Sequence, residues 1–361
     1  MNSLVVSRNF EGGSFPEEIE STPEGLRLQK NHGVDHFFFH FSVTNPSQDA
    51  RVVHVTCQWP LTNQRYWLFP ELKRSDQPWQ SVSITPALPD GKSDPARAEF
   101  SFPLGARETV FLANTPCMGA TEVQDLLRSL ASRDPDRCAL FSLSTGEQRT
   151  PENEVTGLRW DPDPGAGQKP KLVILGTPEG PEYGDRLACA VAEFLTGATP
   201  PAMDLLTRFR IDVIPVPCPN LKRADNRAGQ VLFDFGKDNV LWHFEDLWNY
   251  LVNDPPQRLL EFHTDTKLKG PGCQRVYVAA ENVYKTPEQG RAAMALAKVV
   301  DSLPNGNWLN PMVKDSTWQN VLLYQVAARL DTIAIGYSAH IRYGVTSNCA
   351  SAIRALQAFG K

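Results

Sequence analysis

An antiparallel β-sandwich followed by an α/β domain is the fold class this sequence predicts, and two observations predict it. Short β-branched and aromatic segments run through residues 1–150, separated by turn residues. After about residue 170 the pattern changes to strands alternating with amphipathic helices, as in a mixed, mostly parallel sheet between helices. The division expected is a sandwich over 1–155, a linker over 156–170 and an α/β domain over 171–361. A chain of 361 residues is long enough for two cores.

In the first part the predicted strands are 36–43, 51–57, 81–84, 98–102 and 109–112. Asn45, Pro46 and Ser47, then Pro89, Asp90 and Gly91, then Gly105, supply turn chemistry between them. One helix is expected over 122–132, capped by Thr121, with Val123, Leu126, Leu127 and Leu130 on one face. His32, His36, His40 and His54 invite a metal set. The even spacing of His36 and His40 already puts both on one strand face, however, so half-buried sandwich histidines are expected. Trp59, Tyr66, Trp67 and Trp79 are expected in the sandwich core.

The second part opens with a strand at 171–175, a Gly/Pro-rich loop at 176–184 and a helix at 185–195 carrying Leu187, Val191, Phe194 and Leu195 inward. A strand at 210–216 empties into the basic loop 220–227. A helix follows at 238–252, with Val240, Phe244, Leu247, Trp248 and Leu251 as its apolar stripe. Strands at 259–263 and 274–279, helices at about 287–302 and 316–330, a strand at 332–343 and a last helix at 348–359 complete the series.

The bulk composition excludes some classes. A net charge of −5 lacks the basic excess of general nucleic-acid binders, so no nucleic acid is expected as a partner. No apolar run approaches the ~18 residues of a membrane span, and no membrane association is expected. The N-terminus has no basic segment followed by an apolar core. The seven cysteines show neither pairing nor close spacing, which fits a reducing, cytoplasmic setting.

In open α/β sheets ligands sit at the carboxyl ends of the strands. That rule gathers Glu179, Glu182, Arg227 and His263 around one crevice. Glu261 and Asp265 share the His263 face of their strand.

The order of elements and these loop residues resemble the zinc metallocarboxypeptidase family, most of all its cytosolic carboxypeptidase (deglutamylase) branch. Residues 172–195 resemble that family's strand, His-x-x-Glu loop and helix, with Glu182 at the glutamate ligand and Glu179 where the first histidine stands. Glu261-Phe262-His263 resembles the Asp-x-His strand that ends on the third metal ligand. Arg227 matches the arginine that polarises the scissile carbonyl. Lys237 replaces the arginine that clamps the substrate carboxylate, and Gly236 its asparagine partner. The family's general-base glutamate is missing, since Ala334, Ile335 and Gly336 fall at its place.

The resemblance implies zinc, held by Glu179, Glu182 and His263, although these substitutions are of a kind that loosens or loses the metal. Two carboxylates would leave the centre nearly neutral and a poorer activator of water. Lysine grips a carboxylate as a point charge, without the two-pronged geometry of arginine. The partner implied is a peptide or protein C-terminus, acidic ones included, met by Arg223, Arg227 and Lys237.

Three functional readings follow. The first is a degenerate pseudopeptidase retained as a binding or regulatory module. The second is an active zinc carboxypeptidase of rearranged site, with Arg227 stabilising the oxyanion and Glu179 or His340 taking the proton. The third is an interaction protein working through its sandwich. Against all three stand the plain alternatives of an acidic loop, a solvated basic loop and core histidines at His263 and His340.

Overall fold

A computed structural model describes residues 3–15, 18–29, 39–59, 68–75, 77–85, 96–143, 154–161, 169–177, 182–217, 245–265, 274–303, 307–313 and 321–361. The chain forms two compact units. One comprises Met1–Cys117, Asp265–Lys269 and His340–Asn348; the other comprises Met118–Thr264, Gly270–Ala339 and Cys349–Lys361.

The first unit contains β1 (Val5–Ser7), β2 (Glu18–Ser21), β3 (Gly25–Gln29), β4 (His40–Thr44), β5 (Arg51–Trp59), β6 (Glu71–Arg74), β7 (Gln80–Ser81), β8 (Ile84–Thr85), β9 (Ala96–Leu104) and β10 (Thr109–Ala113). One sheet has the order β1-β4-β10-β6-β7 and the other β2-β3-β5-β9-β8. All these pairings are antiparallel except β3 with β5, which is parallel.

Alternation along the strands fills the space between the sheets. Val53, Val55, Cys57 and Trp59 of β5 meet Phe41 and Val43 of β4 and Val110 and Leu112 of β10 in one buried cluster. His54 points outward, with Nδ1 2.8 Å from Ser101 Oγ. His40 is buried under the rings of Phe10 and Trp79. The two described histidines therefore belong to different sheets, one exposed and one enclosed. His32, His36, Tyr66 and Trp67 lie outside the described residues. The buried Glu71 carboxylate accepts the Val345 amide at 3.2 and 3.3 Å, which fastens residues 340–348 to this unit.

The second unit begins at Met118, ahead of the expected boundary. It holds α1 (Ala120–Arg133), β11 (Cys138–Ser142), β12 (Thr156–Trp160), β13 (Lys171–Leu175), α2 (Gly184–Thr196), α3 (Pro200–Arg208), β14 (Arg210–Ile214), α4 (Glu245–Asn253) and β15 (Arg258–Asp265). Then come β16 (Gln274–Ala279), α5 (Pro287–Asp301), β17 (Asn307–Met312), α6 (Leu322–Arg329), β18 (Ile333–His340) and α7 (Gly344–Phe359), the last two reaching into residues grouped with the first unit.

The described strands form one sheet in the order β11-β12-β14-β13-β15-β18-β16-β17. The breaker-rich stretch after residue 160 thus joins two strands of a single sheet. Pro and Gly end a strand, but they do not dictate where the next one pairs. The cap of α1 also differs from expectation: its N-cap is Gly119, without a side-chain cap, and Thr121 lies inside the helix.

At the centre, β13 runs parallel to both β14 and β15. The chain leaves β13 for one side and returns on the other, so the carboxyl end of β13 is the topological switch point. A charge network centred on the buried Asp212 and Lys171 ties these strands together, with Arg159 partly and Asp254 largely exposed. Arg159 donates from Nε and Nη2 to the two oxygens of Asp212 at 2.8 and 2.9 Å. The Tyr250 hydroxyl of α4 donates to the same carboxylate. Lys171 Nζ lies 3.9 Å from Asp212 Oδ2, 3.1 Å from Asp254 Oδ2 and 3.9 Å from the Tyr250 ring centroid. Removing one partner of such a network leaves uncompensated buried charge. Asp212→Asn is therefore expected to lower unfolding free energy by about 3 kcal/mol in a denaturant titration; a loss below about 1 kcal/mol would show that the network contributes little.

Candidate metal centre

Every residue of β13 is buried, and the chain continues through Gly176 and Thr177. A Cβ on Gly184 would stand 2.1 Å from the Phe262 carbonyl oxygen and 2.7 Å from the Thr177 nitrogen. Only glycine lets the first turn of α2 rest on the backbone of β15. That close approach delivers Glu182, two residues upstream, to the end of β15. There the Thr264 amide donates to Glu182 Oε2 at 2.8 Å, and the Tyr183 amide donates to Thr264 Oγ1 at 3.3 Å.

His263 completes the arrangement. Its Nδ1 is 3.3 Å from Glu182 Oε2 and 3.3 Å from Thr177 Oγ1, and its Nε2 is 3.2 Å from Glu261 Oε2. The imidazole is 16% exposed, while the two carboxylates are nearly closed off. Burial works against the imidazolium, but Glu261 and Glu182 outweigh it and hold the His263 pKa well above its ordinary value.

The donor chemistry fits a metal in part. Ligand bonds of about 2.0–2.2 Å in a tetrahedral shell place neighbouring donors about 3.4 Å apart. Glu182 Oε2 and His263 Nδ1 stand at 3.3 Å. Among the described residues, no group of three or more His, Cys, Asp or Glu side chains is arranged to hold a metal ion. Glu261 faces the opposite ring nitrogen and does not converge with Glu182. The expected third ligand, Glu179, lies outside the described residues, as do Arg223, Arg227 and Lys237.

His340 is fully buried at the end of β18. Its Nδ1 accepts the Arg342 amide at 3.1 Å, and its ring meets Phe69 edge-on. With Nδ1 an acceptor, the neutral ring carries its proton on Nε2. Ala334 and Ile335 are fully buried in β18. A Cβ on Gly336 would meet Leu323 Cδ1 at 2.6 Å and Tyr277 Cβ at 3.3 Å. Two contributors escaped the sequence reading. Thr177 precedes the loop without any motif to mark it, and the Thr264 amide is a backbone group that no residue letter announces. The placement of Glu261 against His263 follows the two-residue period of the strand.

The chain folds as metallocarboxypeptidases do. It matches a metallo-carboxypeptidase from Burkholderia cenocepacia with a TM-score of 0.74 at 14% identity, over 99% of this chain and 98% of that one. A metallo-carboxypeptidase from Pseudomonas aeruginosa, solved in complex with (2-guanidinoethylmercapto)succinic acid, gives 0.72 at 13% identity over 99% and 98%. The fold is therefore a carboxypeptidase-like α/β domain preceded by a β-sandwich. No protein-family model and no curated protein matches the chain. Among the described residues, no helix is long and apolar enough to cross a membrane.

The raised pKa of His263 has a stability consequence. Its contribution is full below the unfolded-state value of about 6.5 and is lost as pH climbs through the folded-state value. With chelator present, wild-type stability is expected to fall as pH rises above about 6.5. His263→Gln should flatten that fall in denaturant titrations across pH; equal slopes in both proteins would contradict the assignment.

Proposed function

We propose that this chain is a degenerate zinc-carboxypeptidase-like protein, a pseudopeptidase that serves as a binding or regulatory module. The observation that carries this reading is β18. Ala334 and Ile335 are fully buried, and the space beside Gly336 is filled by Leu323 and Tyr277. The sequence puts no carboxylate on this stretch of strand, and one added at Gly336 would have to displace the Leu323 side chain. Loss of a general base costs about 10²–10⁴-fold in rate.

What remains is a binding constellation. Glu182 and His263 would hold zinc together with Glu179, and zinc when bound would supply Lewis acidity. The surrounding residues of this chain do the holding. The Thr264 amide fixes one oxygen of Glu182, and Thr177 lies beside the nitrogen of His263 that faces it. Arg223, Arg227 and Lys237 would meet the carboxylate of a peptide or protein C-terminus, acidic ones preferred, in a cytoplasmic setting.

Equilibrium dialysis with zinc, read by elemental analysis, should give about one equivalent for the wild type and a loss of about 10-fold or more in affinity for Glu182→Ala. A panel of peptides with neutral and acidic C-termini should bind without release of the terminal residue. Release that disappears in Arg227→Ala would overturn the reading in favour of an active carboxypeptidase. Peptide binding lost on removing the sandwich, with the crevice variants silent, would move the function to the first unit.

Restoring the glutamate should fail for a packing reason. Gly336→Glu and Ala334→Glu each force a charge into filled space and should destabilise the fold by about 3 kcal/mol or more without producing hydrolysis. A stable Gly336→Glu protein that releases C-terminal residues would contradict the packing argument.

A further inference from the structure

We infer that Glu71 of the sandwich is the N-terminal cap of α7, and that the sandwich face around it is a docking surface for residues 340–348 of the same chain. The inference is independent of the metal-binding reading above. The first amides of a helix have no partner within the helix, and a short polar residue just before it commonly accepts from them. The approach to α7 offers no such residue. Ile341–Tyr343 forms one short helical turn, so Tyr343 stands directly before α7, and no acidic residue lies in the first turn of α7 itself. His340 Nδ1 accepts the Arg342 amide at 3.1 Å and so caps the preceding turn. Glu71 fills the role for α7 from 274 positions away. Its two oxygens lie 3.2 and 3.3 Å from the Val345 nitrogen, which donates to both, and the residue is buried. Negative charge at this end of a helix is also favoured by the aligned peptide dipoles.

Two further features converge on the same contact. Gly344, the first residue of α7, has φ +73°, a conformation that favours glycine. A Cβ there would stand 3.1 Å from Glu71 Oε1 and 3.3 Å from Ser81 Oγ. Glu71 and Ser81 are cross-strand partners in β6 and β7, so their side chains form one small polar platform against the glycine. Asn348 Nδ2 donates to the His340 carbonyl at 2.9 Å and ties the first turns of α7 back to the end of β18. The glycine lets the backbone come close, and the carboxylate meets it with a charge-assisted hydrogen bond. A residue that only filled space at position 71 would call for neither the glycine nor the amide. This part of the sandwich thus serves a segment of its own chain, one that carries the end of β18 and the start of α7.

Hydrogen exchange of the full-length protein, read by mass spectrometry on peptides covering residues 340–352, tests this. Glu71→Ala should speed exchange at the first amides of α7 by about 5–30-fold, the range expected for loss of a helix cap. Peptides from β5, β9 and α5 should exchange as in the wild type. Glu71→Gln keeps the shape of the side chain and one acceptor oxygen. It should speed the same amides by about 2–5-fold, the share owed to the charge. Gly344→Ala, which leaves Glu71 in place, should speed those amides too, because it lifts the backbone from the carboxylate. Unchanged exchange over residues 344–348 in Glu71→Ala would overturn the inference. So would a rise spread evenly across the chain, since that is the signature of a cavity in the sandwich and not of a lost cap.

Discussion

The contact between Glu182 and His263 is the constraint that organises the carboxyl end of the central sheet. It joins the loop after β13 to the end of β15, two strands that are neighbours in space and more than 80 residues apart in sequence. Its geometry depends on a glycine. Any side chain at Gly184 would strike the Phe262 carbonyl, lift the first turn of α2 and carry Glu182 away from the imidazole. The Thr264 amide then fixes the carboxylate from the other side. A buried carboxylate left without such donors would pay a desolvation cost of about 1–3 kcal/mol or more.

Several parts of this arrangement could be read from residue order alone. The apolar run of β13, the stripe on α2 and the two-residue period of β15 each announce their elements, and that period puts Glu261 beside His263. Other parts were hidden for physical reasons. β11 lies at the sheet edge, where mixed exposure blurs the pattern, and the pairing of β12 with β14 is a long-range choice that local propensity does not encode. α3 begins with Pro200 and Pro201, which read as breakers although proline is favoured in a first helical turn. The parallel pairing of β3 with β5 has no local signature either.

The fold and the chemistry at the site carry different amounts of information. The fold is that of the metallocarboxypeptidases over nearly the whole chain, at an identity low enough that only architecture transfers. The chemistry must come from the residues present. They offer a carboxylate and an imidazole at ligand spacing, a second carboxylate behind the ring, and a buried strand that carries no carboxylate at Ala334, Ile335 or Gly336.

X-ray absorption at the zinc edge tests this account most directly, because it counts and types the donors around the metal in solution. The account predicts a shell rich in oxygen with a single imidazole, disrupted in both Glu182→Ala and His263→Asn. A shell with two or more imidazoles, or one unchanged by either substitution, would contradict it.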